Sequence, residues 1–182
     1  VDLVAQPQSL TAISQAISAK KVLSLGVVNG RNIWRAVLSA VYEKINALVT
    51  ERAGNIWLAP SCSLLHCPVD LAQEQKLDPE LKSWMAFAKE KGSELALLKT
   101  ALQTGDTQAI THYSAPVKAR LISARVNNKE VQQRVAALTP ADGQRQSDFN
   151  IRIKAQQAAL QLPVLPTTTI GSFPQTHAIR QA

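Results

Sequence analysis

Three groups of residues carry side chains and spacings fit for chemistry. The first is Asn29-Gly30-Arg31-Asn32. The second is Ser61-Cys62-Ser63 with His66 and Cys67. Each follows a short apolar run, and parallel α/β folds gather ligands at the carboxyl ends of their strands. Arg, Asn, Ser and His at such a place can bind polar groups; they equally form turns that hydrogen-bond their own loops. The third is Gly171-Ser172 near the end of the sequence, a turn with backbone N–H groups free to meet a ligand. Cys62, Cys67 and the histidines His66, His112 and His177 are the soft metal donors. Two cysteines are too few for a disulfide scaffold, and adjacent His66 and Cys67 on an extended strand face opposite ways, so no metal is expected in these residues. Asp70 and Glu74 could move protons, but nothing singles them out.

The elements that must position these groups alternate over the first third. Val1 to Ala5 is a short apolar run closed by Pro7. Ser9 starts a helix expected to reach about Ala19, with Leu10, Ile13 and Ile17 on one face. Val22 to Val28 is almost wholly apolar, as a strand buried on both sides should be. Val37 to Arg52 is expected as a helix that Gly54 ends, with Val37, Val41, Ile45 and Leu48 in one stripe. Ile56 to Ala59 is a third strand, stopped by Pro60. The pattern β-α-β-α-β calls for parallel strands.

Asp78-Pro79-Glu80 is a sharp helix start. Leu81, Trp84, Met85, Ala88, Leu95, Leu98 and Leu102 keep helical spacing to about Thr104, where Gly105 is the stop. Short helices are expected to follow, opening at Asp106, at Ser114 with Pro116, at Asn128 and at Thr139-Pro140. The helix over 140–160 is polar on most sides, which suits a connector. Leu162 to Pro174, whose three Thr and Ile170 favour strand, is expected to form one further strand.

The chain has 182 residues, 46% hydrophobic and 18% charged, which supports a core and excludes wholesale disorder. Its net charge of +7 comes from scattered basic residues without interleaved aromatics, so no nucleic-acid partner is expected. No apolar stretch approaches the ~20 residues of a membrane span, and no membrane partner is expected. Val1-Asp2-Leu3-Val4 resembles no signal peptide, and the location expected is cytoplasmic. There is no phosphate loop, dinucleotide fingerprint, H-E-x-x-H or G-x-S-x-G pattern.

Four segments resemble motifs of the cobalamin-independent methionine synthases: Val22 to Trp34, Ala59 to Leu71, Leu77 to Ala88, and Pro166 to Thr176. Ala36-Val37-Leu38, where an acid is common, and Cys67, where a small residue is common, are local departures. The resemblance implies two face-to-face (β/α)8 barrels joined by a helical linker. On it, residues 1–105 are the last three strands of a partial TIM barrel. Residues 106–162 are the linker, and 163–182 are the first strand and loop of a second, catalytic barrel; the whole is helix-rich α/β. The chain is then an internal fragment.

The implied activity is transfer of the N5 methyl of methyltetrahydrofolate polyglutamate to homocysteine, giving methionine. Zinc is implied as the cofactor of the longer protein, binding the homocysteine thiol and lowering its pKa, through ligands outside this chain. Ile170, Gly171 and Ser172 match the motif that holds the amino-acid part of homocysteine or methionine. The chain alone is expected to be inactive, with no zinc of its own. The alternative expectation is a non-catalytic structural fragment that associates with itself.

Overall fold

In the computed structural model, residues 1–182 are described apart from Ala53, Thr169, Ile170, Ser172–Pro174 and Ala182. The chain forms two compact units, 1–129 and 130–182.

The first unit is α/β. Helix α1 (Ser9–Ala16) leads to strand β1 (Leu23–Val28), helix α2 (Leu38–Glu51) and strand β2 (Ile56–Pro60). The two strands pair in parallel, Leu23 with Ile56 and Leu25 with Leu58, with an irregularity between Gly26 and Val28. All of β1 except Ser24 is buried, as its unbroken apolar run requires.

The apolar run at Val1 contributes one parallel bridge rather than a strand, Asp2 beside Gly26. Gly26 N–H donates to Val1 O at 2.7 Å, and Leu3 N–H donates to Gly26 O at 3.0 Å. The chain then curls away, because the Asp2 carboxylate accepts from the Val4 and Ala5 N–H groups, each at 2.9 Å. Helix α1 also stops earlier than expected, at Ala16. The reason lies at Arg52, whose guanidinium takes the carbonyls of the following turn.

Past β2 come two short 3-10 turns (Leu64–His66 and Leu71–Gln73), then helices α3 (Pro79–Ser83), α4 (Ala88–Thr104) and α5 (Gln108–Arg120). Asp78 caps α3 as its sequence predicts, accepting from the Glu80 and Leu81 N–H groups. The continuous helix expected over 79–104 is broken at Trp84–Phe87. These residues pair with the loop after β1 instead: Arg35 N–H donates to Trp84 O at 2.9 Å, and Ala86 N–H donates to Ile33 O at 2.8 Å. Glu90 then restarts the helix by accepting from Phe87 N–H at 3.0 Å. Gly105, with φ of 77°, ends it in the left-handed region.

Ser114 does not start a helix. It lies inside α5, with Pro116 tolerated one turn from the end, and its buried hydroxyl donates to Ile110 O at 2.6 Å. The core joins Leu10, Leu23, Leu25, Val28, Leu38, Ile45, Leu98 and Ile110. Helix α4 packs against both strands, and α2 packs on α4 and α5.

The second unit holds α6 (Lys129–Ala136, its first residue at the boundary), a 3-10 turn at Pro140–Gly143, α7 (Phe149–Leu160) and α8 (His177–Gln181). The single helix expected over 140–160 is thus split. Its first turn is closed by the Asp142 carboxylate, which accepts from Thr139 N–H at 2.7 Å and from the Thr139 hydroxyl at 2.8 Å. Residues 161–168 form no strand; the expected strand otherwise falls partly on Thr169, Ile170 and Ser172–Pro174, outside the described residues. Among the described residues no helix is long and apolar enough to cross a membrane.

Candidate functional site

The structure brings the first two groups of candidate residues together. The parallel pairing of β1 and β2 puts Asn29–Asn32 and Ser61–Cys67 at the same carboxyl edge. Asn29 shapes its own loop: its side-chain oxygen accepts from Arg31 N–H at 2.8 Å and Asn32 N–H at 3.2 Å. Ser61 Oγ crosses to the neighbouring loop and accepts from Gly30 N–H at 3.1 Å.

Gly30 is required by closeness. A Cβ there would stand 2.6 Å from Cys62 O and 3.0 Å from Cys62 Sγ. The buried Cys67 thiol donates to Gly30 O at 3.1 Å, while His66 points to solvent. The adjacent pair faces two environments, although His66 ends a 3-10 turn rather than lying on the extended strand expected. Among the described residues no three His, Cys, Asp or Glu side chains gather as a metal site. Arg31, Cys62, Ser63 and His66 line a cleft of about 500 Å³ at this edge.

Behind the loop lies a polar cluster that residue spacing did not suggest. Lys91 and Glu94, on α4, are both 0% exposed. Lys91 Nζ donates to Asn32 Oδ1 at 3.2 Å and to Trp34 O at 3.0 Å. Glu94 Oε1 accepts from Ala36 N–H at 2.7 Å and from the Tyr113 hydroxyl at 3.0 Å, and its Oε2 is buried without a partner. The Arg35 guanidinium stacks on the Tyr113 ring at 4.3 Å. Burial lowers the Lys91 ammonium below its ordinary range and raises the Glu94 carboxyl above its own. The Tyr113 hydroxyl is raised as well, by burial first and by the Glu94 charge next.

One signal could have found this cluster. Lys91 and Glu94 fall in phase with Leu98 and Ala101, on the buried face of α4.

The remaining candidates stand apart. Asp70 accepts from Lys89 Nζ at 2.8 Å and from Ala72 N–H, and the Lys89 hydrogen bond holds its carboxyl below the usual range. Its partner lies at the surface, so the pair serves the turn. Glu74 is exposed and offers its carbonyl to Lys82. In the second unit Gly171 is exposed with φ of 83°, a left-handed conformation that glycine takes at least cost. Ile170 and Ser172 lie outside the described residues.

Comparison with known proteins finds one consistent similarity. Residues 1–53 match the family described as cobalamin-independent synthase, N-terminal domain. Beyond that segment the similarity continues: over 180 residues, 99% of this chain, it is 51% identical to the 5-methyltetrahydropteroyltriglutamate–homocysteine methyltransferase of Salmonella arizonae. The chain is similar to a stretch of the cobalamin-independent methionine synthases. The enzyme of the same description from Salmonella newport is likewise 51% identical, and that of Salmonella paratyphi B is 50% identical, again over 99% of this chain. The chain spans about a quarter of the length of these curated relatives, 24% of each.

Proposed function

We propose that this chain serves as part of a longer methyltransferase that moves a methyl group from 5-methyltetrahydropteroylpolyglutamate to homocysteine. The observation that carries this is the 51% identity, sustained over 180 residues, to enzymes so described. On this reading the chain works in the cytoplasm. Residues 1–105 belong to a first (β/α)8 barrel, 106–162 connect, and 163–182 open the catalytic barrel. The parallel β1–β2 pair, the α2 crossover and the parallel bridge at Asp2 support the barrel assignment.

Zinc, which the resemblance implies, does not fit the described residues of this chain, which offer no cluster of ligands. We assign it to residues outside these 182. The chain's own contribution is binding and scaffold. Ile170-Gly171-Ser172 would hold the carboxylate of homocysteine through backbone N–H groups and the Ser172 hydroxyl, with Ile170 packed beside it. The left-handed Gly171 supports this, because such a turn aims successive N–H groups at one anion.

The test is kinetic. In the longer enzyme, Gly171→Ala should raise the homocysteine KM about three- to tenfold through backbone strain of roughly 1 kcal/mol, leaving the folate KM unchanged. An unchanged homocysteine KM rejects the assignment. The 182 residues alone should make no methionine, and any turnover by them would overturn the division of labour.

A specific observation favours a second role for the isolated chain. Among the described residues β2 pairs on one side only, and its Trp57 is 66% exposed. Such an edge promotes self-association, which sedimentation over a range of concentrations would reveal.

A further inference from the structure

The cleft at the carboxyl edge of β1 and β2 carries polar side chains to which methyl transfer gives no role. Its backbone is held in place by the Asn29 and Ser61 hydrogen bonds, so its side chains project from a fixed rim. Ser63 Oγ accepts from Leu65 N–H at 3.2 Å, which leaves the hydroxyl hydrogen to donate outward. No acidic side chain lines the cleft.

Arg31 is distinctive among the arginines of the first unit. Arg35 stacks on Tyr113, and Arg120 stacks on Trp34 at 4.6 Å. Arg52 donates to the Ser18 and Lys21 carbonyls, each at 2.9 Å, and Arg125 pairs with Asp78 at 2.8 Å. Among the described residues the Arg31 guanidinium has no hydrogen-bond or ion-pair partner, and neither has the His66 ring. An unpaired guanidinium, a hydroxyl and an imidazole thus converge on one cleft without a countercharge.

We propose that Arg31, Ser63 and His66 form a binding site for a small anionic ligand, through its carboxylate or phosphate group. The guanidinium fork matches either group in a bidentate fashion, and Ser63 and His66 add donors from the opposite loop. The site lies at the strand ends where parallel α/β sheets receive ligands. It does not depend on the reaction proposed above.

The experiment is an NMR titration of the 182-residue chain, following the His66 ring signal, with inorganic phosphate and glutarate as separate probes. The His66→Asn variant assigns the signal. A saturable shift with a Kd at or below about 1 mM is expected for at least one probe. Arg31→Gln should weaken it at least about tenfold, the loss of one charge-assisted pair. Lys99→Gln removes the same charge at an exposed position away from the cleft and should change it less than about twofold. Preference for phosphate or for glutarate identifies the anionic group, and either supports the site. Absence of saturation by both probes overturns it. Equal weakening by Arg31→Gln and Lys99→Gln also overturns it, because net charge would then explain the binding.

Discussion

Lys91 Nζ donates to the side-chain oxygen of Asn32 at 3.2 Å, tying the first turn of α4 to the loop that follows β1. The same oxygen accepts from Trp34 N–H at 3.1 Å, so one amide holds both the helix and the loop. Glu94, one turn along α4, grips the loop again at Ala36 N–H. The loop that carries Arg31 is therefore positioned from behind by two buried, ionisable side chains. Each bond to a charged group is worth about 1.5–3 kcal/mol, against the cost of removing that charge from water.

The Glu94 carboxyl should make stability depend on pH. Burial raises it above its ordinary 4.5, so the folded chain holds this proton more tightly than the unfolded chain. That contribution is fully present below 4.5 and is lost as pH rises through the raised folded value. Glu94→Gln keeps an oxygen for Ala36 N–H and the Tyr113 hydroxyl. Its amide replaces an Oε2 that has no partner. Thermal unfolding should show the variant level with the parent at pH 4 and more stable by about 1 kcal/mol at pH 7. A parent that is the more stable at pH 7 would mean the charge is stabilising.

Gly30→Ala should destabilise the carboxyl edge by about 1–3 kcal/mol. Its methyl group would meet Cys62 O at 2.6 Å, a backbone atom that cannot swing aside. Either β2 or the Asn29 loop must shift, and the Cys67–Gly30 and Ser61–Gly30 bonds shift with it. Urea denaturation measures the loss. A midpoint equal to that of the parent would show that the loops are looser than this packing implies.

Arg52 is buried and has no ion-pair partner among the described residues. Its guanidinium donates to Ile17 O at 3.2 Å and to Ser18 O and Lys21 O, both at 2.9 Å. It thereby closes the turn between α1 and β1. Arg52→Met would keep the packing of the stem and leave these carbonyls without their donor, at a cost of about 2–4 kcal/mol. Arg52→Lys should recover only part of this, because a single ammonium cannot span the fork. Chemical denaturation of both variants decides; equal stability of Arg52→Lys and the parent would show that charge alone suffices.

Local chemistry made much of the first unit legible. The run Leu23–Val28 is apolar at nearly every position and had to be buried on both faces. The stripe of α2, the Asp78 cap and the Gly105 stop are written in neighbouring residues, because each satisfies groups within one turn. The candidate residues after β1 and β2 were also legible, since strand ends follow from strand positions. That the two groups share one edge followed from the parallel pairing expected of β-α-β.

What only the tertiary structure decided depends on partners distant in sequence. Nothing near Trp84–Phe87 forbids a helix; it breaks because Ile33 and Arg35 offer better-placed backbone partners. Ser114 has the composition of a helix start, yet it lies within α5, where Ser39 N–H and Ile110 O use its hydroxyl. Lys91 and Glu94 are of types that ordinarily stay exposed, although they fall on the buried face of α4. They are buried because the loop after β1 presents a carbonyl, an amide oxygen and an N–H group to that face of α4. Sequence periodicity marks which face of a helix is covered. Whether the cover is apolar or carries hydrogen-bonding groups that admit a charge is fixed only when the distant loop packs on it.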